Sequence, residues 1–148
     1  MTTLIWLTTA AVFCQAVIAG QFVSQDGQDG WITVHGVVAD VSWVLALISA
    51  GYAYATLRAQ FPILLRWTVA LFVVTLAQTG IGHLITDKGM DWLIPVHVPL
   101  AFVVFGVAGY LSVWAVRVRR QTDAGHLERA VESGAELNAD VHDVVRAG

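Results

Sequence analysis

Four nearly unbroken apolar stretches, Leu4 to Val23, Val34 to Leu57, Pro62 to Ile85 and Ile94 to Val116, limit this chain more than any other feature in it. A bilayer's hydrocarbon core is roughly 30 Å thick and takes about 20 apolar residues of helix to cross. Each stretch has that length. Hydrophobic residues make up 57% of the chain and charged residues 13%, which predicts an integral membrane protein rather than a soluble domain. The connections, Ser24 to Thr33, Arg58 to Phe61 and Thr86 to Leu93, are too short to carry the chain across a bundle, so consecutive helices are neighbours and antiparallel. The expected fold is all-α, an up-down-up-down four-helix transmembrane bundle over residues 1–118 with a tail over 119–148.

Basic residues predict the orientation. Arg58, Arg66, Arg117, Arg119 and Arg120 gather at one end, against Lys88 at the other, which places both termini on the cytoplasmic side of a bacterial plasma membrane. Asp26, Asp29, Asp87 and Asp91 then fall in the outer loops. Trp31 and Trp92 mark the outer interface, and Trp6, Trp67 and Trp114 the inner one, with Trp43 lying deeper. Small residues from Ala16 to Gly20 imitate a signal-peptidase site, but Met1 to Trp6 has no positive n-region, so the first span is read as retained. Cys14 is the only cysteine, which leaves no intramolecular disulfide and no CxxCH heme attachment; it reads as an apolar filler.

His35, His83 and His97 all fall near the outer ends of spans on this topology. Two imidazoles facing each other across a helix bundle are a common way to hold heme iron from both sides. In a sequential bundle the second and fourth helices are diagonal, which makes His35 and His97 the axial candidates. His83, on an adjacent helix, suits a propionate better, or replaces either ligand. Positions 35, 39, 42, 46, 49 and 53 read His, Ala, Ser, Ala, Ser, Ala down one helical face. Thr75, Gln78, Thr79, Gly80 and Gly82 give span three a small, polar outer end, and Leu100, Ala101, Val104, Phe105 and Ala108 line the His97 face. The expected heme surround is therefore Gly36, Ala39, Gln78, Thr79 and Gly82 beside the histidines. The plainer alternative is that interfacial histidines and small faces serve helix packing alone.

Asp40 is the one acid inside a span, about 7 Å deeper than His35 by helical rise. A carboxylate there costs on the order of 2.5–3.5 kcal/mol on insertion scales. No basic residue of the spans lies at its depth, so it is expected to be protonated, hydrated or hydrogen-bonded to a Thr, Gln or Trp, with a proton relay as its functional reading. Arg66 sits near the inner end of its span and is expected to snorkel.

The segments "WITVHGVVAD" around His35, "LAQTGIGHL" at the end of span three and "IPVHVPLAF" around His97 resemble one four-helix half of heme A synthase, over about residues 1 to 118. The resemblance implies one b-type heme, heme b, near the outer face, with His35 and His97 as its axial pair. The chain departs from the family in three ways. Trp31 and Ile32 stand where the catalytic half carries a glutamate, the first outer loop has no cysteine pair, and a second half is missing. Heme oxidation of the family's kind is therefore not expected, and a heme-binding half that forms a homodimer is. The chain is also similar to small uncharacterised bacterial four-helix membrane proteins, which imply no activity.

Three functions stay open on the residues. The first is a membrane b-type heme protein for electron transfer or heme handling, working with a redox partner or quinone. The second is a divalent metal site of His35, His83 and His97, with Asp87 or Asp91. The third is an accessory subunit or lipophile carrier using Asp40. The bilayer is the certain partner on every reading, and nucleic acid is not expected on any. The tail has Glu128, Arg129, Glu132 and Glu136 at helical spacing but also Gly125 and Gly134, which predicts a weak surface helix or disorder. His126 and His142 have no cysteines beside them and make no metal site.

Overall fold

The computed structural model describes residues 1–25 and 29–147, with side chains described for all of these except position 22 and those from 135 onward. Asp26 and the side chain of His142 lie outside the described residues. Four helices follow one another: α1 over Thr2–Ser24, α2 over Asp29–Leu57, α3 over Pro62–Lys88 and α4 over Ile94–Ala147, with a 3-10 turn at Asp91–Leu93. All four are long and apolar enough to cross a membrane. The chain divides into two compact units, Met1–Ala115 and a second that begins at Val116.

The helix ends follow from local chemistry. Helix α2 starts at Asp29, earlier than the apolar stretch begins, with that acid in its first turn where the exposed N–H groups favour negative charge. Pro62 opens α3, a position that needs no N–H donor. Gly89 closes the helix at φ +64°, and the N–H groups of Gly89 and Met90 bond back to the Ile85 and Leu84 carbonyls at 3.0 and 3.2 Å. Any residue with a Cβ would be strained there.

Within the first unit, contacts close the helices into a ring. Gln15 of α1 reaches the backbone of His35, Thr79 of α3 reaches that of Ala39, and Gln78 of α3 reaches that of His97. Thr9 of α1 meets Ser112 of α4 at 2.8 Å, and Phe13 meets Phe105 with ring centroids 6.3 Å apart. Neighbours run antiparallel: moving back along α3 from Gln78 to Trp67, the partner on α4 moves forward from His97 to Tyr110. Helices α2 and α4 are therefore diagonal.

The aliphatic core, with Ile5, Leu64, Leu71 and Leu111 all but fully buried, occupies the half of the unit away from the histidines. On α2 the small face packs inward as its spacing predicts, with Ser42, Ala46, Ser49 and Ala53 buried. The α4 face needs correction at two positions. Val104, Ala108, Leu111 and Ala115 form the buried row, whereas Ala101 is exposed, and Phe105 is exposed and packs sideways on Phe13. Position 105 is one residue, roughly 100° of helix, beyond the inward row.

In the second unit α4 is helical through Ala147 despite Gly125 and Gly134. Arg119 and Asp123 pair at 3.7 Å one turn apart, and Arg129 Nε donates to the Gly125 carbonyl at 3.0 Å. Both contacts are exposed and stabilise the helix by a few tenths of a kcal/mol at most.

Candidate functional site

Two polar clusters occupy the end of the bundle where α3 closes, and they divide the three histidines between them. The first is built on the diagonal pair. His35 of α2 and His97 of α4 are half-buried and near enough to interact electrostatically. Gln15 Nε2 donates to the His35 carbonyl at 2.7 Å, tying α1 to α2 at this level. Gln78 Nε2 lies 3.0 Å from the His97 carbonyl oxygen and 3.2 Å from its ring Nε2. In that arrangement Nε2 accepts and the ring proton sits on Nδ1.

The bonding is incomplete in a specific way. Gln78 Oε1 and His97 Nδ1 are both buried without a hydrogen-bond partner. A buried polar atom left unmatched costs about 1–3 kcal/mol, so native bundles rarely keep one without a use for it. Turning the Gln78 amide over would let Oε1 accept from Nε2–H and leave a lone pair on His97 Nδ1, at the cost of the bond to the His97 carbonyl, which Oε1 would then face. The turn of the Gln78 amide therefore sets which nitrogen of His97 carries the ring proton. Gly82 fixes the ring from the other side, since a Cβ there would lie 3.2 Å from His97 Cε1.

The second cluster is built on His83. Its Nε2 lies 3.3 Å from Asp40 Oδ1 and its Nδ1 lies 3.6 Å from Asp87 Oδ2, so a carboxylate faces each ring nitrogen. Trp43 Nε1 donates to the same Asp40 oxygen at 3.2 Å, and Thr86 Oγ1 donates to Asp87 Oδ1 at 3.1 Å. The His83 ring rests near Gly36, where a Cβ would sit in ordinary contact at 4.0 Å. This cluster lies on the outer side of the α2–α3 pair: the His83 and Asp40 side chains are 42% and 53% exposed, an area that lipid covers in a bilayer.

The predicted residues therefore separate. Gln78 and Gly82 stand with His97, Thr79 bonds the Ala39 carbonyl at 3.4 Å, and Gly36 lies beside His83. The three-histidine metal site is not assembled: among the described residues no group of three or more His, Cys, Asp or Glu is placed to hold a metal ion. His83 turns its two nitrogens to carboxylates on the outer side, while His35 and His97 lie within electrostatic reach of each other.

Asp40 bonds a tryptophan, as expected, and also has an imidazole partner that the depth argument overlooked. Side chains lean toward the N-terminus of their own helix, so on antiparallel helices Asp40 and His83 lean toward each other and close a gap that backbone depth alone leaves open. Gln15 escaped the sequence reading as well, although an amide in the middle of an apolar span was the available signal. Comparison of the chain with protein-family models, with curated proteins and with solved structures finds no match.

Proposed function

We propose that this membrane protein binds one b-type heme per chain between His35 and His97 and serves electron transfer or heme handling, with both termini cytoplasmic and the heme near the outer face. The observation that carries the reading is the pair of unmatched buried atoms, His97 Nδ1 and Gln78 Oε1, located where the diagonal His35 comes within electrostatic reach. The residues fit an iron porphyrin in kind. There are two imidazoles on diagonal helices, an amide to orient one of them, and a glycine at Gly82, where a Cβ would crowd the His97 ring. A bound heme supplies a one-electron couple.

The chain's own residues do the rest. Gln78 contacts the His97 ring at Nε2 and, with its amide turned as found, the His97 carbonyl; turned over, it keeps the ring contact alone and frees Nδ1, while Gln15 holds the α2 backbone at His35, so both imidazoles are positioned from adjacent helices. The packed aliphatic half beneath them shuts water out from the opposite end. The arginines at 58, 66, 117, 119 and 120 support the orientation.

The test is a reduced-minus-oxidised absorption spectrum of protein purified from cells supplied with heme, with a pyridine hemochrome assay for stoichiometry. Sharp Soret and α bands with about one b heme per chain agree with the proposal. A flat spectrum sinks it.

A further inference from the structure

His83 and Asp87 are one helical turn apart on α3, and Asp40 faces them from α2. Carboxylate, imidazole and carboxylate follow in line, 3.6 Å at the first gap and 3.3 Å at the second. Asp87 stands at the α3 terminus, next to Lys88 and the Gly89 cap, with 63% of its side chain exposed. Asp40 stands eleven residues inside α2 and is the only acid within the four apolar stretches.

Imidazole alone among side chains takes a proton on one nitrogen while releasing another from the opposite one near neutral pH. A histidine with a carboxylate at each nitrogen is thus a two-way proton step, whereas a single ion pair would need only one of those contacts. Among the described residues the far end is closed: Trp43, the other polar partner of Asp40 there, is a donor and accepts no proton.

We propose that Asp87, His83 and Asp40 form a proton relay that loads Asp40, inside the span, from the aqueous phase at the C-terminal end of α3. A proton on Asp87 passes to His83 Nδ1 and the proton on Nε2 passes to the Asp40 carboxylate. One proton enters, one arrives, and the ring stays neutral with its tautomer exchanged until the return transfer restores it. Because Trp43 ends the chain, the relay stores a proton and does not conduct one across the bilayer. The ionisable groups against His83 are Asp40 from α2 and Asp87 from its own helix; His97 of α4 packs on the adjacent Gly82, His35 of α2 lies one residue from Gly36, and Lys88 and Asp91 follow beyond the helix end. The relay does not depend on what His35 and His97 hold.

Infrared spectroscopy after an acid jump tests it, on full-length protein in lipid nanodiscs so that lipid seals the side of the bundle. The Asp40 carboxyl band is identified by its loss in Asp40→Asn. Wild-type protein should develop that band rapidly, His83→Gln should slow it by on the order of a hundredfold, the low end of what a positioned proton donor contributes, and Asp87→Asn should slow it a few-fold. Asp87 is exposed at a helix end, so its variant folds even if a change at His83 disturbs packing. A hydrogen bond with a purely structural role would leave the Asp87→Asn rate unchanged. Equal rates in wild type and Asp87→Asn, or no Asp40 band at any pH, would overturn the relay.

Discussion

The two ends of the bundle use polar side chains in opposite ways. Toward the end that carries the chain's N-terminus, hydroxyls packed between the helices bond carbonyls of their own helix: Thr8 bonds the Leu4 carbonyl at 2.9 Å, Thr9 that of Ile5 at 2.9 Å and Ser112 that of Ala108 at 2.9 Å. At the histidine end His97 Nδ1 and Gln78 Oε1 are buried unmatched, and charged groups line the outer side. Hydroxyls that fold back on their own helix serve packing, because they are satisfied before any neighbour arrives. Amides and imidazoles cannot do this, so they must find partners on other helices or in a ligand. The difference separates a half whose hydroxyls are satisfied within their own helices from one whose amide and imidazole atoms are not.

The comparison breaks most visibly at the histidines. His35→Ala and His97→Ala should each abolish heme retention in purified protein, while Leu71→Ala, at the packed end, should leave the heme spectrum intact. Full retention in both histidine variants would remove the axial pair and make the histidine end another packing region. Loss of heme in Leu71→Ala at unchanged expression would erase the boundary between the halves.

Stability should show the reverse pattern. Leu71 is fully buried among the core residues, so truncation to Ala should cost about 2 kcal/mol, the low end for a buried leucine because lipid-exposed reference states lose packing but little hydrophobic transfer energy. Thermal denaturation in one detergent, with heme absent, reads this directly. His35→Ala, at a half-buried site, should shift the midpoint less under those conditions.

Glycine substitutions sharpen the boundary further. Alanine in a helix interior gains roughly 0.5–1 kcal/mol over glycine, and at Gly80 nothing lies within 4 Å of the new Cβ. Gly80→Ala should stabilise slightly. Gly82→Ala meets His97 Cε1 at 3.2 Å, and the ring cannot retreat freely because Gln78 holds it. It should displace His97 and alter the Soret band even where total stability hardly changes. Identical spectra for the two variants would place His97 outside the ligand set.

How much of this was legible in the sequence depends on period and reach. Helix number, the order around the bundle and the small α2 face at 42, 46, 49 and 53 follow from apolar run length and the 3.6-residue repeat, and all are present in the structure. Diagonal placement of His35 and His97 followed from connection lengths alone. The split of the histidines was not legible, because depth counted along backbones ignores the lean of side chains toward helix N-termini, which brings His83 to Asp40. Phe105 was misplaced for a related reason: one step around a helix separates the buried row from the rim, finer than a span boundary read from composition can locate. Nor does composition say which buried atoms lack partners, since that depends on how Gln78 is turned.

The smallest expected effect tests the packed half on its own terms. Thr9 Oγ1 and Ser112 Oγ share a 2.8 Å contact between α1 and α4, and each hydroxyl also faces a carbonyl on its own helix. Ser112→Ala removes the interhelical bond, yet the Thr9 hydroxyl keeps the Ile5 carbonyl and the nearby Ala108 carbonyl at 3.3 Å as acceptors. No buried donor is stranded, so the cost should be near the average of about 0.6 kcal/mol for interhelical hydrogen bonds in membranes. Thr9→Val should cost a similar amount, and the double variant no more than slightly above either single one, because both remove the same bond. A loss several times larger, read from thermal midpoints of the single variants, would mean that this pair carries an unmatched polar group too, and the contrast between the two ends would no longer hold.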